Sequence, residues 1–286
     1  MSARRPEIID TVAAMQRRAV EWRAAGQRIG LVPTMGYLHE GHLALVRGAR
    51  EACDRLVVSI FVNPTQFSPT EDLSSYPRDL ERDLDLCASE GVDVVYSPSA
   101  DEMYPEGAQT FVTVTEVSGP LCGVSRPTHF RGVATVCAKL FHAVMPHVAV
   151  FGEKDFQQLQ VIRTMVRDLD FDLEIVGRPT VREPDGLAMS SRNVYLDEEQ
   201  REQALCLSRA LDAAERIAAA GERDVGAIVA GARAEIEAAD LARIDYVELR
   251  DAETLQDIAA LERPGVLALA VFFGKTRLID NRVLLP

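Results

Sequence analysis

Two histidines three residues apart stand in VPTMGYLHEGH, residues 32–42, where an apolar strand gives way to the start of a helix. Doubly wound sheets bind phosphates at strand-to-helix turns of this kind. The stretch is not a P-loop: Gly36 and Gly41 have the spacing, but His42 and Leu43 replace the Lys and Ser/Thr that would hold phosphate and magnesium. Nor is it a zinc-protease helix, because His39 and His42 are three apart instead of four and the general-base glutamate is misplaced. At i and i+3 the two side chains share one side of the first helical turn, and Gly41 leaves room for close approach. The positive end of the helix opposes protonation, so both imidazoles are expected as neutral hydrogen-bond donors that can follow charge developing on an α-phosphate. A single histidine here would read as a surface or capping residue; the pair beside a strand end favours a ligand.

Three further stretches carry candidate polar groups, two at strand ends and one after a glycine turn. In FGEKDFQQL, residues 151–159, Lys154 sits at a strand's carboxyl end and suits polyphosphate oxygens as a flexible point charge. The amides of Gln157 and Gln158 can bind a hydroxyl or carboxylate without adding charge. In DGLAMSSRN, residues 185–193, Ser190, Ser191 and Arg192 offer several donors to a triphosphate, or else form an N-cap and turn. In SIFVNPTQF, residues 59–67, Asn63 and Gln66 could orient a small acid, or simply flank a Pro-nucleated turn. Arg126, His129 and Arg131 in SRPTHFRGV fit an anion site and helix-start polarity equally well and stay unassigned.

The elements that must position these residues follow a βαβ rhythm. Strands are expected at residues 29–32, 56–62, 92–96, 111–114, 148–151 and 173–176, and helices at 40–53, 80–90, 130–144 and up to 168. Apolar strands separated by crossover helices imply an α/β fold, a doubly wound Rossmann-like parallel sheet covered on both faces. After residue 197 the sequence turns alanine-rich and helical, then alternates over 244–249 and 266–273, an α+β pattern. A boundary near residue 180 divides a large domain, 1–180, from a smaller one, 181–286, that would cover the site.

Composition narrows the classes. The chain has 286 residues, 47% hydrophobic and 26% charged, the balance of a folded protein. Its net charge of -13 argues against a nucleic-acid partner, because that affinity rests on Lys and Arg neutralising phosphates. No apolar run suggests a signal peptide or a membrane span, so the cytoplasm is the expected location. Five scattered cysteines lack metal or disulfide spacing; four are expected at apolar helix positions and Cys122 in a glycine-flanked loop.

Taken in order, VPTMGYLHEGH, SIFVNPTQF, YPRDL, SRPTHFRGV, FGEKDFQQL, DGLAMSSRN and TRLIDN resemble the pantothenate synthetase family over essentially the whole chain. The resemblance implies ATP as substrate: with pantoate it forms pantoyl-adenylate, which β-alanine attacks to give pantothenate and AMP. It also implies Mg2+ and a homodimer. Carried over by position, Met35, Gly36, Tyr37, Leu38, His39, Glu40, Gly41 and His42 contact ATP. So do Gly152, Glu153, Lys154 and Asp155, and then Val181, Met189, Ser190, Ser191 and Arg192. Gln66 and Gln158 would hold pantoate, with Asn63 beside them, and His42 is the residue the family assigns as proton donor. An ionised carboxylate needs no proton removed, so His39 and His42 fit transition-state stabilisation better than acid catalysis. Asp83 is the weakest candidate for a magnesium ligand, and Tyr76, in the loop 68–77, a candidate lid. The alternative is a nucleotidyltransferase passing AMP to a phosphate acceptor.

Overall fold

The computed structural model describes residues 4–68 and 73–286. Its larger sheet has six parallel strands: β1 (Glu7–Ile9), β2 (Ile29–Thr34), β3 (Arg55–Ile60), β4 (Val94–Tyr96), β5 (Val148–Gly152) and β6 (Glu174–Arg178). Their order is β1-β4-β3-β2-β5-β6. The chain thus builds outward from β2 in one direction, then returns to its other side at β5. The crevice at the carboxyl ends of β2 and β5 is the switch point where such sheets bind ligands.

Both faces of the sheet are covered, which is why its central strands are mostly apolar. Leu31, Val57, Val94 and Phe151 point into one core with α1 (Val12–Ala24), α6 (His129–Val144) and α7 (Phe156–Asp168). Val32, Val58, Val95 and Val150 point into the other, with α2 (Glu40–Arg50) and α3 (Leu80–Ser89). Two short helices, α4 (Ala100–Met103) and α5 (Cys122–Ser125), lie between α3 and α6.

The smaller sheet is antiparallel, with β7 (Ala242–Asp251), β8 (Gly265–Phe273) and β9 (Thr276–Leu284) in sequence order. It packs a separate core against α8 (Glu198–Ala204), α9 (Cys206–Ala219) and α10 (Val225–Glu237). Alanines at 210, 214, 218 and 232 let these elements approach closely.

Three expectations need correction, and two strands were not expected. Residues 111–114 are not a strand: the Val112 amide donates to Thr135 Oγ1 on α6 at 3.0 Å, and Arg131 stacks over Phe111 at 3.9 Å. Side chains of α6, not a neighbouring strand, satisfy that segment. The edge strand β1 is only three residues long, too short for periodicity to reveal, and β9 reads as a polar stretch because charged residues alternate through it. Cys53 lies in the loop after α2 rather than in a helix, and Cys122, expected in a loop, is the buried first residue of α5. Cys87, Cys137 and Cys206 do fill helical core positions, where burial pushes Cys87 and Cys137 up to about 12 and Cys206 up to about 11.

Candidate active site

The loop leaving β2 is built before any ligand is considered. Thr34 Oγ1 donates to the Ser59 carbonyl at 2.7 Å and accepts the Gly36 amide at 3.2 Å. Gly36 (φ 82°) and Tyr37 (φ 51°) then turn through the left-handed region, which at Gly36 costs no Cβ strain. Asp83 of α3, 1% exposed, receives the turn by accepting the amides of Tyr37 and Leu38, each at 2.7 Å. Burial raises its pKa although both amides favour the carboxylate. Asp83 therefore holds the loop with both oxygens and is not placed to ligate magnesium, correcting that expectation.

His39 is the N-cap of α2 and His42 its third residue, and each caps the other's backbone. His39 Nδ1 accepts the Gly41 amide at 3.1 Å, and His42 Nδ1 accepts the His39 amide at 3.3 Å. A ring nitrogen that accepts an N–H carries no proton, so each neutral ring bears its hydrogen on Nε2. The ring centroids are 4.1 Å apart and both residues line the cleft. Burial, then the charge of Lys154, lowers His39 to about 4; burial, then His39 and Lys154, lowers His42 to about 3. The capping reading of this pair holds, and the cap fixes the tautomer that both rings present to the cleft they line. Gly41 serves the ring of His39, since a Cβ there would meet it at 2.9 Å.

Lys154 enters from the other side of the switch point, on the 3₁₀ turn Glu153–Asp155 between β5 and α7. Gly152, Asp155 and Gln158 line the cleft beside it. Gln157 does not: its amide is spent on the Val117 and Pro120 carbonyls at 3.1 and 2.6 Å and on the Cys122 amide at 3.1 Å. Opposite, Val181, Met189, Ser190, Ser191 and Arg192 form the third wall. Ser190 Oγ accepts the Arg192 amide at 3.2 Å, so the N-cap reading also holds for this stretch.

The deep end of the cleft contains Met35, Asn63 and Gln66. Asn63, 1% exposed, donates to Gln66 Oε1 at 3.0 Å and the Gly132 carbonyl at 3.1 Å, and accepts the Tyr104 hydroxyl at 2.9 Å. Its donors are committed to the protein, so Asn63 orients Gln66 and has none left for a substrate. Four residues of the expected ATP contacts turn their side chains away. Leu38 is fully buried in the core under α2, Tyr37 packs under Arg82 at 5.2 Å, Glu40 pairs with Arg47, and Glu153 lies beside Gly177 of β6. Only their backbone, with that of Gly36, is left to face a ligand.

Sequence reasoning missed two residues of this site. Arg126 and His129 line the cleft, where the Gln66 carbonyl meets Arg126 Nη2 at 3.3 Å and His129 Nδ1 at 2.9 Å. Their motif was visible, but nothing in it placed them against Gln66; Arg131 from the same motif sits outside, on Phe111. Tyr76, 6% exposed, lines the cleft with Phe67 at 6.1 Å and Arg192 at 5.9 Å from its ring; residues 69–72 of the loop read as a lid lie outside the described residues. The cleft holds about 240 Å³ and opens, past Lys154, Gln158 and Arg192, into a larger cavity of about 1020 Å³ under β9.

A parallel sheet whose switch point carries paired neutral imidazoles, a lysine and a serine-arginine loop defines an α/β enzyme built to receive a phosphorylated ligand. The family model Pantoate-beta-alanine ligase matches residues 7–283. The pantothenate synthetase of Syntrophobacter fumaroxidans is 60% identical over 279 residues, 98% of this chain and 99% of that one. A crystal structure of pantothenate synthetase from Thermus thermophilus superposes with a TM-score of 0.92 at 47% identity, covering 98% of this chain and 100% of that one. That of a pantoate-beta-alanine ligase from Francisella tularensis, complexed with beta-gamma ATP and beta-alanine, gives 0.80 at 33% identity over 97% of each chain. The chain belongs to the pantoate-beta-alanine ligase family and is a ligase that forms a carbon–nitrogen bond.

Proposed function

We propose that this ligase joins pantoate and β-alanine through a pantoyl-adenylate, with ATP as the activating substrate and AMP and pyrophosphate released. The observation that carries the reading is the convergence of two fixed Nε2–H donors and Lys154 on the cleft that also contains Gln66 and Gln158. The pantoate carboxylate attacks the α-phosphorus of ATP, and the bond to the departing pyrophosphate breaks. His39 and His42 donate to oxygens that gain charge as this happens, without a change in their own protonation. Lys154, Ser190, Ser191 and Arg192 stabilise the polyphosphate, with backbone groups of residues 36–41 and 152–155 and the side chains of Met35, Val181 and Met189 enclosing the nucleotide. Gln66 and Gln158 hold pantoate without neutralising its carboxylate, and two bound reactants then behave as one molecule.

Magnesium fits as an ion carried on the phosphates, where it would neutralise their charge: among the described residues no three His, Cys, Asp or Glu side chains gather as a cage, and Asp155 stands beside Lys154. We assign the large sheet to a domain 1–180 and residues 181–286 to a smaller domain that covers the site. We also propose a cytoplasmic homodimer, as the family resemblance implies; among the described residues no helix is long and apolar enough to cross a membrane. Transfer of AMP to a phosphate acceptor is not favoured, because the relatives matched are ligases. Incubating the enzyme with ATP, pantoate and β-alanine should give one AMP and one amide product per ATP consumed. ADP and phosphate in place of AMP would contradict the adenylate.

A further inference from the structure

Neither the 3₁₀ turn that carries Lys154 nor α7 after it is held at its start by a side-chain cap. The support comes instead from the far end of the chain. Asn281 of β9 donates through Nδ2 to the Glu153 carbonyl at 2.9 Å and the Lys154 carbonyl at 2.8 Å, a separation of more than 120 residues. Successive strand residues point to opposite faces. Asp280, the neighbour of Asn281, turns the other way and grips Arg182 with both oxygens, at 2.7 and 2.9 Å. Arg182 opens the hairpin 182–188, reaching its Gly186 carbonyl at 3.0 Å, and Met189 bonds back to Val181. The ladder to β8 fixes both residues in register, Asp280 opposite Leu269 and Asn281 opposite Ala268. Two adjacent positions of one strand thus hold the two loops that face each other across the cleft.

We propose that Asn281 is a positioning residue for Lys154: with Asp280 it forms a two-sided clip that sets the lysine's distance from the loop 189–192. The proposal rests on the role given above to Lys154. An amide suits the task because only a group with two N–H donors can satisfy two adjacent carbonyls from one nitrogen, and it adds no charge beside the lysine. A displacement of the turn of about 1 Å is enough to cost roughly a hundredfold in rate when a reacting group is misplaced.

The test is a double-mutant cycle on full-length enzyme, read as pantoate-dependent exchange of labelled pyrophosphate into ATP, with thermal midpoints measured in parallel. Asn281→Ala and the donor-free Asn281→Asp are each expected to lower kcat by about tenfold to a hundredfold, while KM for pantoate stays within about twofold. In a Lys154→Ala background Asn281→Ala should have almost no further effect, because the group it positions is gone. A loss of the same size in both backgrounds would overturn the clip while leaving the lysine's role intact, and so would wild-type kcat in Asn281→Ala. Undiminished exchange in Lys154→Ala alone would instead overturn the role of the lysine, and the clip's catalytic consequence with it.

Discussion

At the end of β2 the loop bearing His39 and His42 closes on itself: its cap is reciprocal and its outside anchor is Asp83, a buried residue of the adjacent helix. The loop 189–192 across the cleft is held otherwise. Arg182 reaches Asp280, Arg201 of α8 grips Glu183 and Asp185 at 2.6 Å each, and Asn193 bonds Glu183 at 2.8 Å. The first wall is held by its own cap and by a buried carboxylate; the second depends on ion pairs, some about a third exposed, made by elements that follow it in the chain. A wall that must present two donors with a fixed tautomer gains from the first design. Across the cleft, the ion pairs of Arg182 and Arg201 tie the stretch that leads into the loop to β9 and α8.

The comparison breaks most sharply at His42. His42→Ala should lower pantoate-dependent exchange by roughly a hundredfold or more, as loss of a transition-state donor does. His42→Asn sharpens the point, since its carbonyl can replace Nδ1 in the cap while nothing replaces Nε2–H. It should keep the thermal midpoint of wild type and still lose activity; retained activity would mean that the cap alone matters. Next in size is Asp83→Ala, which strands the buried amides of Tyr37 and Leu38 and should cost about 2 to 4 kcal/mol by urea unfolding, at about 1 to 2 per amide. Asp280→Asn leaves Arg182 with a weaker partner and should cost less, about 1 to 3 kcal/mol, since Arg182 is a quarter exposed. Arg201→Ala should cost the least, within about 1 kcal/mol, since its side chain is 34% exposed, and it should act mainly by raising KM for ATP.

The histidine pair also predicts a pH dependence. Folding lowers His39 to about 4 and His42 to about 3 from an ordinary value near 6.5, so the unfolded chain binds more protons between those limits. Their contribution to stability is complete above about pH 6.5 and declines as pH falls toward 4 and then 3. Exchange activity should show no inflection near 6.5 from these rings. A loss of activity centred there that disappears in His39→Asn would show that one of them titrates in its ordinary range.

The local wall was the legible one. Strand, cap and paired spacing all lie within residues 29–42, so periodicity and helix-start chemistry place His39 and His42 in the cleft without tertiary knowledge. Legibility failed where a side chain's partner is remote. Asn63 looks like a substrate amide until Gly132 and Tyr104 are seen to occupy it, and Asp83 looks like a ligand until the amides of residues 37 and 38 take both oxygens. Asn281 and Arg182 carry no local signal of their tasks. Arg126 and His129 were recognisable as a polar helix start, but only the fold brings them to the Gln66 carbonyl. The same holds for residues 111–114, whose strand-like composition is overridden by Thr135 and Arg131 of α6.

The central claim is that the cleft makes an acyl-adenylate before the amine is needed. The measurement that tests it most directly is exchange of labelled pyrophosphate into ATP by the wild-type enzyme with pantoate present and β-alanine withheld. The account predicts exchange that requires pantoate and falls roughly a hundredfold in His42→Ala. An enzyme that forms the amide when β-alanine is supplied, yet shows no pantoate-dependent exchange without it even at high pyrophosphate, would contradict the adenylate step.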